Sequence, residues 1–354
     1  MKKDNRSMCA VKTSIGGQAL MEGIMMKGPK STFMAVRNPQ GEIVVEEVPT
    51  KASKRPKFCK WPVIRGVFGF IDSMALGYKS LMRSAEISGL EDLVEESPKK
   101  KKKDAEEAPV ETVEESVEEF KPSAEEEKIP AWMATAMMVV ASLLGVGLAI
   151  GLFILAPTFL YDLLSRHVAF FQNENPILNS LIKSVFEGVF KIALLVGYMA
   201  LITLMKDIRR TFMYHGAEHK TIFCYEAGLE LTVENIRKQK RFHPRCGTSF
   251  LILMLLVSIF VSFFIDPISL AISGSVLHPA LRAVVKLLTF PLIMGIGYEL
   301  IKFAGRHDNL LTRIISAPGV WLQHLTVLEP TDDMIECAIA AVVPVIPNDG
   351  SDRW

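Results

Sequence analysis

Apolar residues along this chain gather into long blocks separated by polar stretches. From Met133 to Pro157 there is no charged residue, enough helix to cross a hydrocarbon core of about 30 Å. Further blocks run from about Val185 to Met205, from Ser249 to Ile265, and from about Ala283 to Phe303. This predicts a mainly α, polytopic membrane protein with about four transmembrane helices. Residues 61–86 carry Ile64, Phe68, Ile71, Met74, Tyr78, Leu81 and Met82 at helical spacing, but Arg65, Asp72, Lys79 and Arg83 interrupt them. That pattern predicts an amphipathic helix, packed on the other helices or lying in the membrane interface.

Between these elements the punctuation changes. "FMAVRNPQGEIVVEEV" (33–48) reads as a β-hairpin around Asn-Pro-Gln-Gly. "GGQALMEGIMMKGP" (16–29) reads as a folded loop whose glycines let its backbone approach something closely. Its one acid, Glu22, is either a solvated turn residue or a ligand or base. Residues 91–128 hold fifteen acids and the lysine run 99–103, a composition that predicts a flexible linker. After the fourth block two more helical patterns follow, with Ala-Pro-Gly at 317–319 as a break and Thr331 as an N-cap ahead of Asp332 and Asp333. The expected organisation is an N-terminal region (1–90), a charged linker (91–130), a four-span membrane domain (131–305) with the loop 206–248, and a C-terminal helical region (306–354).

Charge orients the spans. The chain's net charge is only +1, but the 206–248 segment concentrates Lys206, Arg209, Arg210, Lys220, Arg237, Lys238, Lys240, Arg241 and Arg245. The positive-inside rule puts this segment and both termini in the cytoplasm. Residues 1–30 lack the apolar core of a secretory leader. All five cysteines fall on the predicted cytoplasmic side, so free thiols are expected and no disulfide framework.

The candidate chemistry lies in "MYHGAEHKTIFCYE" (213–226). His215, Glu218 and His219 stand in the order H-x-x-E-H, an inverted zinc-peptidase order. On a helix continuing from the second span to a stop at Gly228, these residues and Glu226 share one face. Two imidazoles one turn apart can bind one divalent metal, with a carboxylate beside them to ligate or to accept a proton from water. "RFHPRCGTSF" (241–250) adds His243 and Cys246 just before the third span. Topology brings Glu299, His307 and Asp308 to the same interface, and an acid inside a span is a functional candidate by default.

Other readings find less support. Seven histidines are too few for a membrane desaturase, and there is no C-x-x-C pair for a zinc ribbon. The Gly-rich stretch lacks the G-K-[ST] ending of a phosphate-binding loop. The region around Cys246 lacks the downstream arginine of a C-x5-R phosphatase loop. Topology explains the basic loop, so no nucleic acid is expected as a partner.

"GGQALMEGIMMKGP", "YHGAEHKTIFCYE", "ENIRKQKRFHPRCGTSF" and "APGVWLQHLTVLEPTDDMIECAI" together resemble the successive signatures of the YqhQ-like family of bacterial multi-pass membrane proteins. The resemblance covers nearly all of the chain except the acidic linker. It implies a predicted metal-dependent enzyme and implicates Glu22, His215, Glu218, His219, His243 and Cys246.

Two functions are therefore expected. One is a metal-dependent, hydrolytic membrane enzyme at the cytoplasmic interface. In it His215, His219 and His243 or Cys246 hold a divalent metal, zinc by ligand type. Glu218 is the base, Glu226 or Glu299 a further ligand, and a membrane peptide or lipid the substrate. The alternative is a non-enzymatic factor for assembly or insertion of nascent membrane proteins, with the His and Cys residues as a structural clasp. A transporter is a weaker third reading, resting on Glu187 and Lys191 in the second span; no inverted repeat supports it.

Overall fold

The computed structural model describes residues 12–49, 56–89, 131–168, 171, 175–307 and 309–353. The charged linker, Cys9 and Asp308 lie outside the described residues. The protein is mainly helical, with a small antiparallel sheet near its N-terminus.

The sheet has four strands, β1 (Gly16–Leu20), β2 (Gly23–Lys27), β3 (Thr32–Arg37) and β4 (Ile43–Glu47), in the order β1-β2-β3-β4. The 33–48 hairpin forms as expected, with Phe33 opposite Glu47 and Ala35 opposite Val45. The Gly-rich stretch is not a loop but a second hairpin, Gly17 pairing with Met26 and Leu20 with Gly23. Its turn places Glu22 at φ 49, a left-handed conformation unusual for a residue with a side chain.

Both faces of the sheet are covered, so successive residues of β2 enter different cores. Ile24 and Met26 join Tyr214, Ala217, Ile222, Ile236, Met334, Ile335 and Val345. Met25 joins Leu20, Met34, Val36 and Val48 on the other face, against Leu76, Leu81 and Ile87. The first core is built by α5 (Lys206–Glu226), the short α6 (Val233–Arg237) and α11 (Asp332–Val342), segments far apart in sequence. The second face rests on α1 (Ile64–Ile87).

The long apolar blocks form the remaining helices. α2 (Ala131–Ile150) continues through a π turn into α3 (Ala156–His167), and α4 (Pro176–Ile202) and α7 (Gly247–Ser273) follow. Among the described residues, three helical stretches are long and apolar enough to cross a membrane: Val139–His167, Pro176–Ile202 and Gly247–Ser273. The fourth block is a bent pair, α8 (Pro279–Leu288) and α9 (Phe290–Arg306), turned by 44°. The bend precedes Pro291, which lacks the N–H a continuous helix needs.

Two local expectations need correction. α5 does not continue α4, because the chain breaks at residues 203–205 with no Gly or Pro to signal it. Tertiary packing wins there, as the buried face from Tyr214 to Glu226 is drawn onto the sheet and α11. α10 (Leu310–Thr326) runs straight through Pro318. Gly319 is needed for close packing: a Cβ there would stand 2.4 Å from that of Ser249 on α7. Thr331 is the N-cap of α11 as expected, with Asp332 and Asp333 in the first turn, although its side chain makes no capping bond.

Candidate metal centre

The centre forms where α5, the loop before α7, the start of β1 and the end of α10 meet. His215 and His219 lie one turn apart on α5, with ring centroids 4.4 Å apart. Each ring is held by its Nδ1, His215 on the carbonyl oxygen of Thr326 (2.9 Å) and His219 on that of Arg241 (2.6 Å). A carbonyl can only accept, so in both rings Nδ1 carries a proton, and in the imidazole form it is Nε2 that presents the lone pair. Backbone support of this kind fixes tautomer and ring orientation in metal-binding histidines.

Cys246 completes the arrangement. It caps α7, its sulfur accepting from the N–H of Thr248 at 3.4 Å, and lies 3.0 Å from His215 Nε2. One ligand atom from each of His215, His219 and Cys246 falls within 4.8 Å of the others. Burial pushes the Cys246 thiol up, but His219 beside it and the bonds from Thr248 outweigh this and leave it below the ordinary thiol value. Burial also lowers the basicity of His219, against the neighbouring Cys246, which raises it.

Glu218 lies beside them, wholly buried. Burial is the main reason its carboxyl is pushed up to about 7, opposed by His215 and by the backbone N–H of Gly17. Gly17 is close enough that a Cβ would stand 3.0 Å from Glu218 Cδ and 2.6 Å from the carbonyl oxygen of Met25. The Gly-rich motif therefore does approach something closely, namely the wall of this site. Among the described residues, Glu218 Oε2 and His219 Nε2 are buried polar atoms without a hydrogen-bond partner. A cation near Cys246 would satisfy both, so the donor set fits a divalent metal. Glu218, His219, His243, Arg245, Cys246 and the 13–17 segment line a cavity of about 150 Å³.

The other sequence candidates have separate partners. His243 lines the same cavity but stands outside the close donor group. Its Nε2 faces Glu226 at 3.7 Å, and its Nδ1 accepts from the Arg245 N–H at 3.3 Å. Glu226 is buried, which raises its pKa, but His243, Arg245 and the N–H of Thr13 reverse this and hold the carboxylate below its ordinary range. Glu22 is brought not to the centre but to Arg210, with both of its oxygens at 2.6 Å, and to Tyr214. Glu299 forms a bidentate pair with Arg65 of α1 at 2.6 and 2.5 Å. His307 is exposed, its ring on the carbonyl of Phe303. Sequence reading missed Gln323, a fully buried side chain that accepts from the His243 N–H (2.8 Å) and donates to the His243 carbonyl (2.7 Å) and to Ser249 (3.1 Å). It also missed Gly216, where any Cβ would collide with the carbonyl of Leu328 crossing over α5.

These features define a helical protein with candidate membrane spans and a sheet-and-helix unit enclosing a buried His/His/Cys group. The chain belongs to the family described as a protein of unknown function (DUF1385), which matches residues 61–348. It is 32% identical over 333 residues to "Uncharacterized protein YqhQ" of Bacillus subtilis (strain 168), covering 93% of this chain and 91% of that protein. No solved structure matches it.

Proposed function

We propose that this is a multi-pass protein of the bacterial cytoplasmic membrane carrying a divalent-metal-dependent hydrolytic centre on its cytoplasmic face. The observation that carries the reading is the pair of Nδ1–carbonyl bonds, which leaves two imidazole lone pairs beside one sulfur and a buried carboxyl. His215, His219 and Cys246 would hold the metal, and His243 stands at the same cavity as a further donor. Zinc suits this nitrogen and sulfur set and would supply Lewis-acid polarisation and a more acidic water. Glu218, with a carboxyl near neutrality, is placed to take a proton from water in the cavity and return it to a leaving group. Arg245, ion-paired with Glu226, and the 13–17 segment line the rest of the cavity. A cavity of about 150 Å³ suits only the scissile group of a larger molecule, such as a membrane peptide or lipid. The cytoplasmic orientation follows from the nine cations of 206–248, whose α5 forms part of the sheet-bearing unit.

Metal analysis by mass spectrometry of the detergent-purified protein, beside its His215→Ala/His219→Ala variant, tests the site. Near-stoichiometric metal, lost in the variant, is expected. Glu218→Gln should then keep the metal and lose turnover; metal lost in both variants with activity intact would sink the assignment.

The clasp reading also has an observation behind it. The same side chains tie α5 to the ends of two other segments, at Thr326 and Arg241. Under that reading the protein assists nascent membrane proteins without turnover. It predicts that such chains co-purify with it and that metal removal loosens the fold but abolishes no reaction.

A further inference from the structure

The two halves of α1 have different surroundings. The second half packs on the sheet through Leu76, Leu81 and Ile87, with Gly77, Ser80 and Ser84 buried. The first half runs beside α7, a candidate span, and α9, the second member of the bent pair. Val67 and Phe70 pack with Phe250, Met254, Ile293 and Met294, and the rings of Phe70 and Phe250 are 5.6 Å apart. Glycines set the distance between α1 and α9. A Cβ on Gly66 would stand 3.0 Å from Gly295 Cα, and one on Gly295 would stand 2.5 Å from the Val63 carbonyl oxygen. Close approach through small residues is how helices associate in lipid.

These contacts set a depth. Gly295 lies eleven positions before Arg306, the last residue of α9, about 16 Å at 1.5 Å per residue. Met254 lies eight positions beyond Cys246, the N-cap of α7, about 12 Å. With α7 and α9 as spans, Val63 and the start of α1 therefore lie below the membrane surface. Irregular backbone at such a depth needs partners from the protein. Val63 turns the chain at φ 68, and Glu299 accepts from its N–H at 3.4 Å and from Arg65 at 2.6 and 2.5 Å. The outer side of this end is bare. Phe58, Trp61, Ile71, Met74 and Tyr78 are exposed, Trp61 by 62%. Ile71, Met74 and Tyr78 recur at helical spacing, in a stripe separate from the one that packs on the sheet.

We propose that the start of α1, with Trp61 at its leading end, is seated in the boundary between head groups and acyl chains, in the leaflet nearer the sheet. The partner of this bare surface is membrane lipid, and Glu299 anchors the inserted turn rather than ligating a metal. The charges that interrupt the apolar pattern of α1 suit a helix that rises out of the bilayer. Its upper half carries the first hairpin: Ser84 Oγ accepts from the Met21 N–H at 3.3 Å, and Gln18 packs so close to Gly77 that no Cβ fits there. α1 thus ties the Gly17 wall of the candidate centre to lipid. The inference rests on the reading of α7 and α9 as spans and is independent of the metal.

The test uses the full-length protein in vesicles of phosphatidylcholine and phosphatidylglycerol. Trp132→Phe, Trp321→Phe and Trp354→Phe together leave Trp61 as the sole tryptophan. Seated about 5–10 Å into the boundary, Trp61 should lose about half of its emission to lipids brominated near the glycerol end of the chain, and little to aqueous iodide. A second protein, with Trp61→Phe and Phe260→Trp added, reports on the middle of α7 and should be quenched more by lipids brominated further down the chain. Quenching at position 260 with Trp61 open to iodide and untouched by either lipid overturns the proposal and leaves the spans standing. No quenching at either position overturns both. Should the replacements prevent folding, a phospholipid with a photoactivatable acyl chain gives the same reading on the wild-type chain. Adducts are expected at residues 58–71, and their absence beside adducts on α7 overturns the proposal.

Discussion

Replacing Gln323 with Leu isolates the support of the centre from its ligands. Gln323 is 0% exposed and makes three bonds, two of them to the backbone of His243 and one to Ser249. Leucine fills nearly the same space but can neither accept from the His243 N–H nor donate to its carbonyl. Each buried backbone group left unpaired costs about 1–3 kcal/mol, so the substitution should cost about 2–6 kcal/mol for the two. At about 2 °C per kcal/mol, the low end for large domains, the thermal midpoint should fall roughly 4–12 °C. The bonds also hold the turn between Arg241, whose carbonyl orients His219, and Cys246. Loosening that support should weaken zinc binding roughly 10- to 100-fold, the usual range for outer partners of metal ligands. Thermal unfolding with and without zinc, and competition against a chelating dye, give both numbers. A midpoint within about 1 °C of wild type, with unchanged zinc affinity, would refute the idea that this side chain braces the loop.

Three further outcomes follow from the same geometry. In chelator-treated protein, Cys246 should alkylate ahead of Cys224 and Cys337, whose thiols burial pushes up, Cys337 to about 12; zinc should protect Cys246, as peptide mapping can read. Zinc affinity should fall as pH drops from about 8 to about 6, because protons compete for Cys246 and the imidazoles. The Cys246 thiolate is favoured by the fold, so its contribution to stability is present above the ordinary thiol value and is lost as pH falls through the lowered one. A flat zinc affinity over that range would count against sulfur and imidazole ligation. Glu22→Gly should destabilise less than Glu22→Ala, by roughly 1 kcal/mol, because both lose Arg210 but only glycine relieves the positive φ. Equal losses in denaturant titrations would show that the turn carries no strain.

What could be read in advance was whatever a short window of sequence encodes. The apolar blocks, the 33–48 hairpin and the stop at Gly228, which adopts φ 66, all depend on residues close in the chain. So does the shared face of His215, Glu218 and His219, which needs only the helical repeat. The first hairpin was hidden because its glycines read as loop, while burial of Ile24, Met25 and Met26 on two different faces makes it a strand. The break before α5 and the passage of α10 through Pro318 depend on packing that no local signal announces. Backbone carbonyls leave no trace in residue identity, so the partners of His215 and His219 could not be anticipated. Gln323 is an ordinary polar residue on a helix until α7 and the loop at His243 close over it.

The positions that meet at the centre are scattered over most of the chain. Thr13 bonds Glu226 beside His243, and His215 rests on Thr326. During synthesis α5 emerges well before α10, and at roughly 5–20 residues per second the delay lasts several seconds. Through that interval the α5 histidines and the Cys246 sulfur exist without the carbonyl that orients His215. A ribosome-bound chain therefore carries loose thiol and imidazole groups, able to take any available soft metal, before it carries a selective pocket. On the metal reading proposed above, maturation of the centre would be a late event in biogenesis, following the synthesis of α10 rather than that of the first helices.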